Sequence, residues 1–199
     1  MSPVNSGDQS LAGIWNSSRA SPKHVALLRG INVGGKHALP MKELAAMFEA
    51  GGAKDVTTYI QSGNVVFRAT PAAAAKCVAA VTEAIAKRYG YDVPIVLRSA
   101  AELRAAVEAS PFLAQGVSAD ELHLACLRDR PTKVAVAALD AARFAPDELA
   151  VVGSDVHLHL PNGVGKSKLT NAWLDRGLAT VSTLRNWRTV RKLLELADG

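Results

Sequence analysis

The feature that most constrains this chain is an order of local patterns that runs through twice. From Lys23 onward the apolar period switches repeatedly between two and 3.6, the mark of a mixed α and β chain. His24 to Gly30 alternates as a strand, and Pro40 to Ala50 reads as a helix with Leu44, Met47 and Phe48 on one face and Gly51-Gly52 as its stop. Val56 to Gln61 and Val65 to Arg68 are β-branched or aromatic runs flanking Ser62-Gly63-Asn64, a hairpin signal. An alanine-rich helix from Ala72 to about Tyr89 and a strand at Val93 to Arg98 complete β-α-β-β-α-β, the ferredoxin-like unit.

The second pass begins after a helix at Ala101 to Ala109 that ends at Ser110-Pro111. Leu122 to Arg128 reads as a strand, Thr132 to Ala141 as a helix, and Leu149 to Val152 with Val156 to Leu160 as a hairpin over Gly153-Ser154-Asp155. A helix at Lys166 to Arg176, a short strand at Ala179 to Ser182 and a terminal helix at Asn186 to Leu196 follow. The expected fold is α+β, with two ferredoxin-like (βαββαβ) halves, a bridging helix and an extra C-terminal helix. The first half spans 23–98, the bridging helix and linker 99–118, and the second half with its C-terminal helix 119–199. Residues 1–22, with six serines, two prolines and no apolar period, read as a disordered tail in which Trp15 is a lone aromatic.

Composition narrows the function classes. At 199 residues and 49% apolar the chain can bury an ordinary core, so wholesale disorder is excluded. Apolar stretches such as Val134 to Leu139 fall far short of the roughly 18 to 20 residues that span a bilayer. The tail has neither a secretory apolar segment nor an arginine-rich presequence, so a cytoplasmic protein with no membrane partner is expected. Cys77 and Cys126 have no metal-ligand spacing and suit a reducing cytosol. From Lys166 to the end, seven basic residues face three acidic ones, placing +4 of the formal +5 in the last stretch. Such a segment either attracts phosphate-bearing partners or is a solvated helix face.

Four polar or glycine-rich segments interrupt the scaffold at strand ends or helix starts: Arg29 to Lys36, Gln61 to Asn64, Asn162 to Lys168, and Arg185 to Arg188. Glycine permits positive φ there, and free amides at a helix N-terminus bind anions. The third segment is not a P-loop, because the glycine required five positions before Gly165-Lys166-Ser167 is Leu160. It reads instead as a glycine loop opening a helix at Gly165 or Lys166, either an ordinary capped turn or an anion site. The first segment lacks the glycine spacing of a dinucleotide fingerprint; Gly34-Gly35 serves a loop, and Arg29 needs an internal carboxylate or a ligand anion.

Two further patterns bear on chemistry. A register that puts His123, His157 and His159 on the face opposite Leu122, Leu124 and Cys126 would let three imidazoles meet a metal or simply line an open polar face. No metal is assigned, and no catalytic residue or cofactor is legible. RNA stacking of the RRM kind needs aromatics that Asn64-Val65-Val66-Phe67-Arg68 and the first strand do not supply. Arg185, Trp187, Arg188 and Arg191 could still combine charge with one ring, or Trp187 could anchor an amphipathic helix with Val190, Leu193 and Leu194.

The strings LLRGINVGGKHALPM, TTYIQSGNVVF, GVGKSKLT and TLRNWRTVRKLLEL resemble, in order and spacing, domain-of-unknown-function family 1697, a widespread bacterial family. The resemblance runs from about His24 to Ala197 and implies an α+β arrangement with ferredoxin-like halves, but no reaction. Its pattern falls on Arg29, Gly30, Asn32, Gly34, Gly35 and Lys36, on Gln61, Ser62, Gly63 and Asn64, on Gly163, Gly165, Ser167, Lys168 and Leu169, and on Arg185, Asn186 and Trp187.

Three readings compete. In the leading one a phosphate-bearing small ligand, nucleotide or similar, binds between the halves. Arg29, Lys36, Lys166, Lys168 and Arg185 supply charge; Asn32, Gln61, Ser62, Asn64, Ser167, Asn186 and the backbone of Gly34, Gly35, Gly163 and Gly165 supply hydrogen bonds, with Trp187 adjoining. Another is a nucleic-acid module using the basic C-terminal segment. The third is a structural or interaction protein whose motifs hold the halves together. Oligomeric state is not specified by these patterns.

Overall fold

The computed structural model describes residues 21–199; the expected tail, Trp15 included, lies outside the described residues as far as residue 20. The first sheet comprises β1 (Lys23–Leu28), β2 (Lys54–Tyr59), β3 (Asn64–Arg68) and β4 (Ile95–Ser99), in the order β2-β3-β1-β4. The second comprises β5 (Leu122–Leu127), β6 (Glu148–Val152), β7 (Asp155–His159) and β8 (Ser182–Asn186), in the order β6-β7-β5-β8. All pairings are antiparallel, and both orders are the ferredoxin-like one.

Helices α1 (Met41–Ala50) and α2 (Pro71–Tyr89) cover one face of the first sheet, burying Leu44, Phe48, Cys77, Val81 and Ile85 against Ala26, Leu28, Val65 and Phe67. In the second half α5 (Lys133–Ala137) and α6 (Asn171–Leu178) take those places, with Leu174 and Leu178 buried against Ala125, Leu127, Val156 and Leu158. The remaining helices are α3 (Ala100–Glu108), the short α4 (Pro111–Ala114) and α7 (Trp187–Asp198).

The two other sheet faces share one core. Val25, Leu27, Val66 and Val96 of the first sheet and Leu122, Leu124 and Cys126 of the second enclose Leu103 and Ala106 of α3 with Trp187, Val190 and Leu193 of α7. The bridging helix and the C-terminal helix are therefore the same element in two copies. Each leaves its β4 or β8 strand without a loop, through Ser99 or Asn186 as N-cap; the Ser99 side chain accepts from Glu102 N–H and that of Asn186 from Thr189 N–H. The register aligns β1 with β5 and β4 with β8, so that His24 matches His123, Arg29 matches Arg128, Leu97 matches Leu184 and Arg98 matches Arg185.

Three expectations are corrected. Leu122 pairs with His159 and Leu124 with His157, whereas His123 pairs with Leu158. Directly paired residues share a face, so His123 points to the side opposite His157 and His159, and the three imidazoles cannot meet. The helix expected from Lys166 begins at Asn171, with Thr170 as N-cap accepting from Trp173 N–H. Lys166 and Lys168 thus lie in a loop before the helix, and the strand expected at Ala179 to Ser182 is displaced to Ser182–Asn186.

Candidate functional site

The glycine-rich and polar motifs of the first half serve the backbone first. Gly34 (φ +57°) and Gly35 (φ +73°) form a two-residue turn closed by a Val33–Lys36 bridge, as two consecutive positive φ angles require, and Lys36 is exposed at its tip. Asn32 binds the loop together: its Nδ2 donates to the carbonyls of Leu39 and Gln61, each at 2.9 Å, while its Oδ1 accepts from Leu39 N–H at 2.8 Å. The Gln61 side chain is exposed. Gly63 lets the hairpin approach β1, since a Cβ there would lie 2.6 Å from Leu28 Cβ.

At the junction between the halves stand two guanidinium latches with matching partners. Arg185 donates through Nε to Asn64 Oδ1 at 2.6 Å and through Nη2 to the carbonyls of Leu28 at 2.6 Å and Ser62 at 3.0 Å. Arg98 donates through Nη2 to the carbonyls of Leu127 at 2.7 Å and Ser154 at 2.8 Å, and to Asp155 Oδ1 at 3.2 Å. Leu28 and Leu127 close equivalent strands, while Asn64 and Asp155 open equivalent strands. Each half thus grips the other in the same way, the reciprocity of a two-fold interface. Asn64 also donates from Nδ2 to Tyr59 O and to Ser62 Oγ, both at 3.0 Å, which orients its oxygen toward Arg185. Burial pushes the Arg185 guanidinium down to about 10, still charged at neutral pH.

Arg29 finds an internal partner, Asp175 of α6, at 2.6 Å, and donates to Ser182 O at 3.0 Å. Asp175 Oδ1 in turn accepts from the Ser182 N–H at 2.7 Å. Asn186 caps α7 and is exposed, lining a small cavity with Asp120 and Arg188, whereas Trp187 is 1% exposed.

Lys166 and Lys168 lie elsewhere. With Arg143, Phe144, Asp147 and Asn162 they line a cavity of about 380 Å³, contributed wholly by the second half. Both lysines are exposed, neither has an ion pair among the described residues, and Asp147 is the one carboxylate in the lining. Arg143 lies over the Phe144 ring at 4.7 Å from its centre and is 4.0 Å from Asp140. Ser167 Oγ accepts from Leu169 N–H, while Gly163 carries a positive φ of 78° at the start of the loop. Among the described residues no group of three His, Cys, Asp or Glu side chains is disposed to hold a metal.

The expected cleft residues therefore do not share one cleft: Arg29, Ser62, Asn64 and Arg185 meet at the junction, Asn32, Gly34, Gly35, Lys36 and Gln61 belong to first-half loops, Asn186 and Trp187 start α7, and Lys166 and Lys168 line the second-half cavity beside the loop of Gly163, Gly165 and Ser167. Arg98, Asp155 and Asp175 escaped the sequence reading, although Leu97-Arg98-Ser99 and Leu184-Arg185-Asn186 are matching strand-to-cap signals. Arg143 carries no local signal, since only the tertiary fold brings it to Lys166.

The chain is similar to the solved structure of conserved bacterial protein SP0830 from Streptococcus pneumoniae, with 22% identity over 88% of this chain and 98% of that one and a TM-score of 0.64. At that identity the likeness concerns the fold. No curated protein matches. A family model described as "Protein of unknown function (DUF1697)" matches residues 22–157, a span holding the first two motifs and ending before Gly163. More than half of the chain lies in that match, and the chain belongs to the DUF1697 family.

Proposed function

We propose that this protein binds a phosphate-bearing small ligand, nucleotide or similar, in the second-half cavity rather than between the halves. The carrying observation is the convergence of Lys166, Lys168 and Arg143 on one cavity of about 380 Å³ against a single carboxylate, Asp147. Lys166 and Lys168, without an ion pair among the described residues, favour an incoming anion in a concave site, and Arg143, 4.0 Å from the exposed Asp140, adds a third positive charge. Asn162 adds an amide and Phe144 an apolar wall. The arginines at the junction are less suited to this task, because Arg29 is neutralised by Asp175 and Arg185 spends its donors on the other half. We place this activity in the cytosol, in keeping with the free buried thiols of Cys77 and Cys126.

Thermal unfolding against inorganic phosphate, nucleotides and sugar phosphates tests the proposal. A ligand at about 100 times its Kd adds roughly 2.7 kcal/mol, or about 5 to 10 °C for a chain of this size. The shift is expected to vanish in Lys166→Ala/Lys168→Ala, and equal shifts in that variant and the parent would refute the site. Short oligonucleotides in the same panel address the basic C-terminal segment. There Arg188 and Arg191 are exposed, but the burial of Trp187 removes the stacking ring.

A second reading has its own observation. The contacts of Arg29, Asn64 and Arg185 across the junction support a joining role for those motif positions. The two readings concern different residues and are compatible.

A further inference from the structure

The two junctions are built alike but carry different side chains at matching positions. Counted from the caps Asn186 and Ser99, Lys192 and Leu196 of α7 match Ala105 of α3 and its C-cap Ala109. Ala105 and Ala109 line a cavity of about 420 Å³ together with Arg98, Glu102, Arg128 and Asp155. Its arginines are in different states. Arg98 is held by Asp155, whereas Arg128 is exposed and has no side-chain hydrogen bond or ion pair among the described residues. Its counterpart Arg29 is engaged by the carboxylate of Asp175. The Arg29 and Arg128 backbones are placed alike, donating to Pro94 O at 3.0 Å and Val181 O at 2.8 Å. The equivalent position in the other half therefore displays, with the chain's own atoms, a partner that Arg128 lacks.

The cavity that holds this unpaired cation is also lined by two carboxylates, Glu102 and Asp155. Glu102 accepts through Oε2 from Ser99 N–H and Ser99 Oγ, bonds that, after the opposing effect of burial, hold its carboxyl below the usual range; its Oε1 has no partner among the described residues. Arg98 occupies Asp155 Oδ1. A ligand suited to this lining carries a carboxylate for Arg128 and a cationic amine for Glu102, with a small apolar part over Ala105 and Ala109. We propose that the junction cavity at Arg128 binds a zwitterionic small molecule of the free α-amino acid class. Guanidinium recognises carboxylate through a planar fork, so the position calls for a carboxylate more specifically than a lysine would.

The site is distinct from the Lys166 cavity and does not depend on it. Isothermal titration of the full chain with a panel of free amino acids, acetate and methylamine tests the idea. At least one amino acid is expected to bind more tightly than either half-ligand. Affinity should fall by about tenfold or more in Arg128→Ala and in Ala109→Leu, which puts the larger residue of the matching position, Leu196, into the cavity lining at an exposed C-cap. Lys166→Ala should bind as the parent does, and unchanged circular dichroism would confirm that the variants fold. Silence across the panel, binding that survives either junction variant, or loss in Lys166→Ala would each overturn the proposal.

Discussion

Arg185 presents an energetic problem that its counterpart does not. Arg98 meets a carboxylate, Asp155, whereas the half-buried Arg185 meets only carbonyls and one amide oxygen among the described residues. A desolvated charge with neutral acceptors relies entirely on the number and geometry of its hydrogen bonds. Truncation would leave Asn64 Oδ1 and the carbonyls of Leu28 and Ser62 short of a donor. Arg185→Ala is therefore expected to cost about 3 kcal/mol in urea unfolding, at about 1.5 to 3 kcal/mol for each charged hydrogen bond less the desolvation recovered. Arg185→Lys should restore less than half of the loss, because an ammonium cannot span acceptors set for a planar fork. A cost below about 0.5 kcal/mol, typical of neutral surface changes, would remove Arg185 from the joining role. Arg29 is legible in sequence as a residue needing a partner, but which partner is a tertiary fact. Asp175 is 146 positions away.

Strand β7 places two histidines of opposite behaviour on one face. His157 is 1% exposed with both ring nitrogens unpartnered, and burial pulls its pKa down, outweighing the nearby Asp155 charge. His159, at the strand end, contacts Glu121 at 2.9 Å and Glu148 at 3.0 Å; burial opposes its charge, but hydrogen bonds and attraction from the two carboxylates together raise its pKa. A lowered folded pKa means that the His157 contribution is present above the unfolded value of about 6.5 and lost as pH falls below it. The raised pKa of His159 gives a contribution fully present below about 6.5 and lost as pH rises through the folded value. Urea unfolding of His157→Leu and His159→Leu across pH should separate them. Relative to the parent, the first variant gains toward acid, and the deficit of the second shrinks toward alkali. Parallel pH curves for the parent and both variants would contradict the assignment. The elements themselves were largely readable, since α1, α2, α3 and α7 follow apolar stripes and capping residues. Register and the start of α6 were not. Register is set by pairing across the sheet, and a shift of one residue exchanges the faces. The lysines after Gly165 resemble a helical turn until Thr170 is identified as the cap.

The fold as a whole behaves as two copies of one unit that bury their sheet faces on each other's helices. Val25, Leu27, Val66 and Val96 have no cover within the first sheet's own α1–α2 layer; they meet α3 and α7 in the core shared with Leu122 and Leu124. The duplicated order of patterns announced two such units, but their reciprocal grip by Arg98 and Arg185 appears only when strands far apart in sequence are brought together. Because α7 of the second half seals the first sheet, neither half can lose its fold without exposing the other's apolar face. Unfolding is therefore expected to be a single transition, with tryptophan fluorescence and far-ultraviolet circular dichroism coincident in urea. Leu27 is 1% exposed in the shared core, so Leu27→Ala should lower stability by about 2 to 5 kcal/mol and move both probes together. If only part of the dichroism change moved, with the fluorescence midpoint unaltered, the halves would be independent units and the shared core would not couple them. Coincident movement would mean that either junction can influence the other through a common equilibrium, so that a ligand held at Arg128 would stabilise the contacts made by Arg185 as well.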